Sequence, residues 1–280
     1  MVRLNRPSAF GGPADFIFPV EVENPEFGKP LVDPAAEALK AKFGGARIIS
    51  LRRGANEVEL QKSNPAEQIL PAKIADTYIT SSTAHWDSRI ANYGNEPYMT
   101  LGTKTGTNGP SRALVKVDLS AILAGAQLVG AQLRLTLAVV PYTAAKNATI
   151  SAYAVKRPWN EVQVEGIGAS WYGPLYGGNP THPNPKNVMW GKGGCDDTTA
   201  DRVAEAAGSV SITGFPAKDE RRRMITLDVT DTVKAWAAGK LPNHGLLLLI
   251  EGDGCVDICS SEFQDYPFRP TLVLALDPKK

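Results

Sequence analysis

Apolar and polar residues alternate in short runs over most of the chain after residue 74. Two runs have a clear period of two, with apolar residues at 113, 115, 117 and 119 and again at 133, 135, 137 and 139. This period is typical of strands that bury one face. Apolar runs between turn residues predict six further strands, at 77–80, 98–101, 149–155, 224–229, 245–250 and 271–276. Because no crossover helices separate them, we predict an all-β fold, an antiparallel jelly-roll β-sandwich.

One short helix is predicted among these strands. We expect Thr230 as its N-cap and an apolar stripe formed by Val233, Trp236 and Ala237. Gly239 is expected to end it. The helix would cover one open end of the sandwich, whose predicted limits are residues 74–280.

Residues 1–73 have a different pattern and are predicted to form an extended N-terminal arm. Their short apolar clusters, such as residues 16–18, are separated by prolines at positions 7, 13, 19, 25, 30, 34, 65 and 71. Two interpretations are open. The arm is either a flexible leader or a segment that docks on a neighbouring subunit, since that much apolar surface is costly to leave in water.

The arm also contains signals for short regular elements. Asp33 as N-cap and Pro34 at the first helical position predict one short helix, which ends at Gly44. Short strands are predicted at residues 47–51 and 58–60.

The charge balance bears on partners and location. The chain has 30 Lys and Arg against 29 Asp and Glu, a net charge of +1, which gives no bias toward nucleic acid or anionic lipid. The longest aliphatic run, Leu246–Ile250, is far short of the roughly 20 residues of a membrane-spanning helix. No apolar segment typical of a secretory signal follows the N-terminus. We expect no membrane span and no signal peptide in this chain, and a virion or extracellular surface as its location.

Cysteine and histidine are scarce, with three of each. This leaves little material for a zinc or iron site or for His-based catalysis. Cys255 and Cys259 are four residues apart, which on a strand puts them on one face but roughly 13 Å apart, too far for a disulfide. A disulfide from Cys195 to either of them stays open.

Short motifs follow one another in a particular order along residues 74–277. They include Ala75-Asp76-Thr77-Tyr78-Ile79, Asn92-Tyr93-Gly94, Leu101-Gly102, residues 112–120, Trp159-Asn160-Glu161, Asp228-Val229-Thr230, Asn243-His244-Gly245, Ser260-Ser261-Glu262 and Arg269-Pro270-Thr271-Leu272. This order resembles the DNRLRE-type β-sandwich domain, a module of secreted and surface proteins, some of which are carbohydrate-binding modules for alginate. The resemblance implies a non-catalytic jelly roll and does not fix a ligand.

The chain departs from that family pattern in two places. The 73-residue arm lies outside the family domain, and residues 165–190 form an enlarged loop rich in proline and aromatic residues. The ligand preference of a relative is therefore not carried over to this chain.

Two groups of aromatic and polar residues are candidate glycan-binding platforms, because a ring face stacks on the C–H groups of a sugar while polar groups bind its hydroxyls. One contains Trp171, Tyr172 and Tyr176, and the other His85, Trp86 and Arg89. The alternative is that these side chains pin long loops onto the sandwich. Three other tryptophans are interpreted as packing residues, at positions 159, 190 and 236.

An acidic polysaccharide would need cationic partners. Arg112, Lys116 and Arg134 occupy the outward phase of two predicted strands and could line one sheet face. The alternative is that they form the solvated side of a sheet.

Acidic residues give weak signals for metal binding and catalysis. Asp196, Asp197 and Asp201, or the segment 253–257, could hold a structural calcium ion, but neither has EF-hand spacing and turn formation is the alternative. No other cofactor is predicted. Among the glutamates near the family motifs, at 161, 165 and 262, the spacing nominates no catalytic pair.

These patterns lead to ranked functional hypotheses. The first is a non-catalytic structural surface protein, a virion or filament component, that self-assembles through residues 1–73 and exposes loops for glycan. The alternative is a secreted carbohydrate-binding module for an acidic polysaccharide such as alginate. A hydrolase or lyase ranks third.

Overall fold

A computed structural model describes residues 33–53, 67–84, 88–104, 108–119, 127–140, 143–179 and 181–277. These residues are mostly β, as predicted, with two short helices. The helices are α1 (Pro34–Lys42) and α2 (Thr230–Ala237). The strands are β1 (Arg47–Arg52), β2 (Glu67–Pro71), β3 (Ile74–Thr80), β4 (Tyr98–Gly102), β5 (Ser111–Val117), β6 (Leu128–Ala138), β7 (Ala144–Ala154), β8 (Gly178–Asn179), β9 (His182–Pro183), β10 (Gly208–Phe215), β11 (Arg222–Asp228), β12 (Leu246–Cys259) and β13 (Thr271–Leu276).

Eleven of the described strands belong to one sheet, which closes into a barrel-like arrangement. Its main path runs β2-β1-β13-β6-β12-β4-β5-β3. Off this path, β7 pairs with β12, β11 pairs with β6, and β10 pairs with β7. The long strand β12 allows this closure. Its first part pairs with β7 and β5, and residues 255–259 pair with β4. All of these pairs are antiparallel except β1 with β2.

The period of two predicts the buried face of the strands correctly. Leu133, Leu135 and Leu137 of β6 are each at most 1% exposed and lie in the main core cluster with Val115 and Val117 of β5. The predicted strand at residues 271–276 matches β13 at both ends.

The second face of β6 is also buried, which corrects the prediction for Arg134. We predicted an outward side chain, but Arg134 is 0% exposed. Helix α1 covers this side of the sheet, and a Cβ placed on Gly130 would lie 2.4 Å from the ring of Phe43. Arg134 donates to Asp33 Oδ2 at 2.5 Å and to the Pro267 carbonyl at 2.8 Å. A buried guanidinium of this kind cannot line a ligand-binding sheet face.

Part of the predicted arm lies in the sheet. Helix α1 has the predicted N-cap, with Asp33 Oδ1 accepting from the Ala35 amide at 2.9 Å. Strand β1 pairs with β13 along its whole length. The contact-dense unit of the chain runs from Asp33 to Lys280 and so begins 41 residues before the predicted sandwich boundary at 74. The predicted strand at 58–60 lies outside the described residues.

Helix α2 begins one residue earlier than predicted. Its N-cap is Val229, which makes no side-chain capping bond. The Thr230 hydroxyl instead accepts from the Ala131 amide at 2.9 Å and donates to the Ala131 carbonyl, so it ties α2 to β6. Gly239, with φ +65°, follows the helix as predicted. Neither described helix is long and apolar enough to cross a membrane.

The three cysteines are free thiols. Cys255 and Cys259 lie on β12, as expected, and both are buried. Cys195 is also buried and forms a disulfide with neither of them.

Candidate functional site

Three carboxylates from distant parts of the sequence meet at one end of the sheet. Asp76 lies on β3, Glu161 follows β7, and Glu262 follows β12. One oxygen of each lies within 4.8 Å of the others. We call these three residues the acidic cluster. Oxygen atoms so close together are the donor set that a cation prefers.

A guanidinium occupies that position. Arg53 Nη1 lies 2.7 Å from Glu161 Oε1 and 2.8 Å from Glu262 Oε1. It also donates to the Ser261 hydroxyl at 2.9 Å and to the Ile74 carbonyl at 3.1 Å. Arg53 therefore shares one positive charge between the two glutamates of the acidic cluster.

Asp76 is the most deeply buried member of the acidic cluster, at 1% exposure. Its Oδ2 accepts from the Ser261 amide at 2.8 Å, while Oδ1 has no hydrogen-bond partner among the described residues. Burial, followed by the nearby charge of Glu262, raises the pKa of Asp76 well above its ordinary value. The ionised form of Asp76 is therefore harder to reach than that of an aspartate in water.

Glu161 connects the acidic cluster to the surrounding loops. Its Oε1 accepts from the Asp76 amide at 2.9 Å, and its carbonyl accepts from Asn92 Nδ2 at 2.8 Å. Gly94 approaches so closely that a Cβ there would lie 2.0 Å from the Glu161 carbonyl oxygen. Desolvation raises the pKa of Glu161, although the Asp76 amide and Arg53 act in the opposite direction.

A cavity of about 790 Å³ lies beside the acidic cluster. Glu161 of the acidic cluster and its ion-pair partner Arg53 both line this cavity. The other lining residues come from the segment 72–75, the end of β5 with residues 118 and 119, α2 and the loop after it: Ala72, Lys73, Ile74, Ala75, Lys116, Val117, Asp118, Leu119, Trp236 and Asn243. The volume is in the range of ligand pockets. Lys116 was predicted as a binding residue, and its ammonium group lies 5.1 Å from the centre of the Trp159 ring.

Two other predicted binding residues form a fixed pair. The Arg112 guanidinium lies 5.1 Å from the Trp171 ring centre. Arg112 Nη1 donates to the Gly194 carbonyl at 2.7 Å and forms an ion pair with Asp196 at 3.3 Å. Trp171 is half-buried and packs against a second core cluster, which includes Trp159 and Trp190. These contacts hold the enlarged loop to the sheet, which is the alternative role considered for its aromatic residues.

Three other residues of the two predicted platforms, Tyr172, Tyr176 and Arg89, lie close together. The Tyr172 and Tyr176 rings are 5.3 Å apart, and Arg89 lies 5.7 Å from the Tyr172 ring centre. Tyr176 is buried, at 6% exposure, whereas Tyr172 and Arg89 are half-buried. His85 and Trp86 lie outside the described residues.

The predicted calcium ligands after Cys195 are bound to protein donors. Asp201 is 0% exposed and accepts from the backbone amides of Gly191, Lys192 and Asp197. Asp197 accepts from the Thr199 amide at 2.7 Å. Both carboxylates thus stabilise the turn. In the segment 253–257, Asp257 forms an ion pair with Lys104 at 3.1 Å, and the side chain of Asp253 lies outside the described part of the chain.

The sequence pattern indicates neither Asp76 nor Arg53 as a site residue, and it predicts only a packing role for Trp236. Trp236 does lie in the main core cluster, but it also lines the cavity. One signal was available, because Asp76, Glu161 and Glu262 each occur within an ordered motif. Their proximity depends on strand pairing, which a local pattern does not contain.

No protein-family model matches this sequence, and a search of curated proteins finds no match either.

Proposed function

We propose that the chain is a non-catalytic structural protein of a surface assembly, a virion or filament, and that it self-associates through its N-terminal arm. The observation that carries the proposal is the use of the acidic cluster. Arg53, Asp76, Glu161 and Glu262 join β3 to the segments that follow β1, β7 and β12. Groups able to perform acid–base chemistry serve here as cross-links of a rigid domain.

The sequence pattern of residues 1–32 supports the second part of this proposal, self-association. Its apolar clusters between prolines suit a segment that lies on a neighbouring subunit, as arms do in assembled particles. The β domain then contributes the rigid body and the exposed loops. We further infer that the barrel-like sheet is a jelly roll of the DNRLRE type, because Asp76, Asn92 and Glu161, taken from three of the family-like motifs, meet at one place.

Molar mass across a concentration series tests self-association. We expect the full chain to exceed its monomer mass of 30.0 kDa by light scattering. A chain lacking residues 1–32 should stay monomeric, and so should a full-length variant with Phe16→Ser, Ile17→Ser and Phe18→Ser. A full chain that is monomeric at every concentration would overturn the proposal.

A second function, binding of an acidic polysaccharide such as alginate, is favoured by the Arg89–Tyr172 pair. An arginine stacked near a half-buried tyrosine can present both a cation and a ring face to a sugar acid. Tyr172 belongs to the enlarged loop, and Arg89 to the segment between β3 and β4.

Affinity electrophoresis in gels with and without alginate tests the second function. The full chain should be retarded by alginate, and Arg89→Met or Tyr172→Ala should reduce the retardation. Tyr266→Ala is the matched control, because Tyr266 also lies beside an arginine, with the Arg269 guanidinium 4.2 Å from its ring centre. Equal mobility in both gels would remove this function.

A further inference from the structure

Four oxygen atoms surround one nitrogen of Arg53 in the acidic cluster. Arg53 Nη1 lies 2.7 Å from Glu161 Oε1, 2.8 Å from Glu262 Oε1, 2.9 Å from the Ser261 hydroxyl and 3.1 Å from the Ile74 carbonyl. This nitrogen carries two hydrogens, so it has fewer donors than the oxygens around it. Carboxylates and a backbone carbonyl grouped around one point are ligands that a Ca²⁺ ion takes.

A separate observation is the unused oxygen of Asp76. The residue is 1% exposed, and its Oδ1 has no hydrogen-bond partner in the described part of the chain. A buried carboxylate oxygen without a donor costs free energy. The Asp76 carboxylate faces the cluster, since one of its oxygens lies within 4.8 Å of an oxygen from each glutamate. A point between three such oxygens is at most about 2.8 Å from each, close to the length of a Ca²⁺–O bond.

We propose that the acidic cluster is a Ca²⁺ site, whose carboxylate ligands are Asp76, Glu161 and Glu262. Arg53 occupies the site in the absence of Ca²⁺ and leaves it when the ion binds. The Ile74 carbonyl is a further ligand. All of these donors are oxygen atoms, which favours Ca²⁺ over zinc or copper. Mg²⁺ needs near-ideal octahedral geometry, whereas Ca²⁺ accepts an irregular shell such as this one, built from a strand and two loops.

The charge balance and the cavity both favour the exchange of Arg53 for a divalent ion. The three ionised carboxylates carry more negative charge than one guanidinium compensates. The Arg53 side chain is 38% exposed, whereas those of Glu161 and Glu262 are 17% and 20% exposed. Arg53 also lines the cavity of about 790 Å³, which gives its guanidinium space to move and the ion a path of entry. Its backbone can stay in place, because the Arg53 carbonyl accepts from Arg269 Nη1 at 3.2 Å.

The inference does not depend on self-association, because all of the ligands belong to one chain. A bound ion would tie β3 to the segments that follow β7 and β12 more tightly than the guanidinium does. Binding to the folded chain alone would also raise its stability with Ca²⁺ concentration.

Calorimetric titration of the full chain, freed of metal with EDTA, tests the proposal with CaCl₂ and MgCl₂. We expect Ca²⁺ to bind, and Mg²⁺ to bind at least about tenfold more weakly. Asp76→Asn and Glu262→Gln should each weaken Ca²⁺ binding about tenfold or more. Asp197→Asn is the matched control, because Asp197 belongs to the other acidic segment and accepts from the Thr199 amide at 2.7 Å. Its Ca²⁺ affinity should equal that of the unmodified chain.

Arg53→Met distinguishes a Ca²⁺ site from an ion pair with a structural role alone. This variant should bind Ca²⁺ about tenfold more tightly than the unmodified chain, because no guanidinium competes for the same oxygens. Without metal it should unfold at a lower temperature, and Ca²⁺ should restore the loss. Lys104→Met is the control, since it removes the lysine partner of buried Asp257 outside the acidic cluster. Ca²⁺ should not restore its unfolding temperature.

Two results would overturn the proposal. One is that neither the unmodified chain nor Arg53→Met binds Ca²⁺. The other is that both carboxylate variants bind Ca²⁺ as tightly as Asp197→Asn does. If a carboxylate variant does not fold, Arg53→Met decides, since an ion pair without a metal site predicts a loss of stability that Ca²⁺ leaves unchanged.

Discussion

Arg134 and Asp33 form a buried ion pair across 101 positions of the sequence, with Arg134 Nη1 2.5 Å from Asp33 Oδ2. Arg134 is 0% exposed and Asp33 5%. The second oxygen of Asp33 caps α1 by accepting from the Ala35 amide. One carboxylate thus both begins the helix and attaches it to β6.

Removal of either charge from this pair should strongly destabilise the domain. Arg134→Met leaves Asp33 as an uncompensated buried charge, and we expect a loss of about 3–5 kcal/mol in the free energy of unfolding in urea. Asp33→Asn retains a good helix cap but leaves Arg134 uncompensated, so it should also be destabilised. Lys186→Met is the control, because its ion pair with Glu165 is 65% and 68% exposed and should contribute less than about 1 kcal/mol. A similar loss in all three variants would contradict the interpretation.

Gly94→Ala should destabilise the domain because the new methyl group would meet backbone. The nearest atoms to a Cβ there are the Glu161 carbonyl oxygen at 2.0 Å and carbon at 2.6 Å. We expect a loss of roughly 1–3 kcal/mol, measured by urea unfolding. Gly44→Ala is the matched substitution, since a Cβ at Gly44 has nothing within 4 Å, and it should be neutral or slightly stabilising. Equal effects at the two glycines would show that the close approach is absent.

The acidic cluster should make stability fall as pH rises. Burial raises the pKa of Asp76, so the folded chain holds this proton more tightly than the unfolded chain does. Stability is therefore lost as pH increases from the unfolded pKa, near 3.9, toward the folded value. Asp76→Asn has no such proton to lose. The unfolding free energy of the variant, relative to that of the unmodified chain, should therefore increase from pH 4 to pH 8.

Asp197→Asn should show the opposite dependence and serves as the control. Hydrogen bonds from the Thr199 and Ala200 amides lower the pKa of Asp197. Its contribution is thus present above the unfolded pKa and lost as pH falls through the folded value. This variant should be less stable than the unmodified chain at pH 7, with the difference shrinking toward pH 3. If the relative unfolding free energies of the two variants changed with pH in the same direction, the raised pKa of Asp76 would be contradicted.

The cysteines should be unreactive in the folded chain. Burial raises the pKa of the Cys255 and Cys259 thiols to about 12 and also raises the pKa of Cys195. We expect no reaction with a thiol-specific disulfide reagent at pH 8 until urea unfolds the domain, and then three equivalents. Rapid labelling before unfolding would show that at least one cysteine is accessible.

The strands could be predicted from sequence because their signal is local. β13 matches its predicted range of residues 271–276, and the alternation along β6 identified its core leucines. The same alternation gave the wrong environment for Arg134. A period of two separates the faces of a strand but does not reveal that a helix from residues 34–42 covers the second face.

The candidate site could be predicted far less well, for a related reason. Asp76 and Ser261, which form a direct hydrogen bond, are 185 positions apart. The cavity combines residues from β5, α2 and the segment 72–75, none of which has an unusual local pattern. Lys116 was nominated for its charge on a strand, but its position on a cavity wall depends on the packing of α2.

The last two strands of the domain, β12 and β13, lie inside the sheet rather than at its edge. β13 lies between β1 and β6, and β12 lies between β6 and β4, with its residues 255–259 paired along the whole length of β4. A nascent chain that has not yet emerged past residue 245 lacks the central partners of strands made much earlier. The barrel therefore closes only when translation of the domain is almost complete, and until then the finished strands need protection from pairing with other chains.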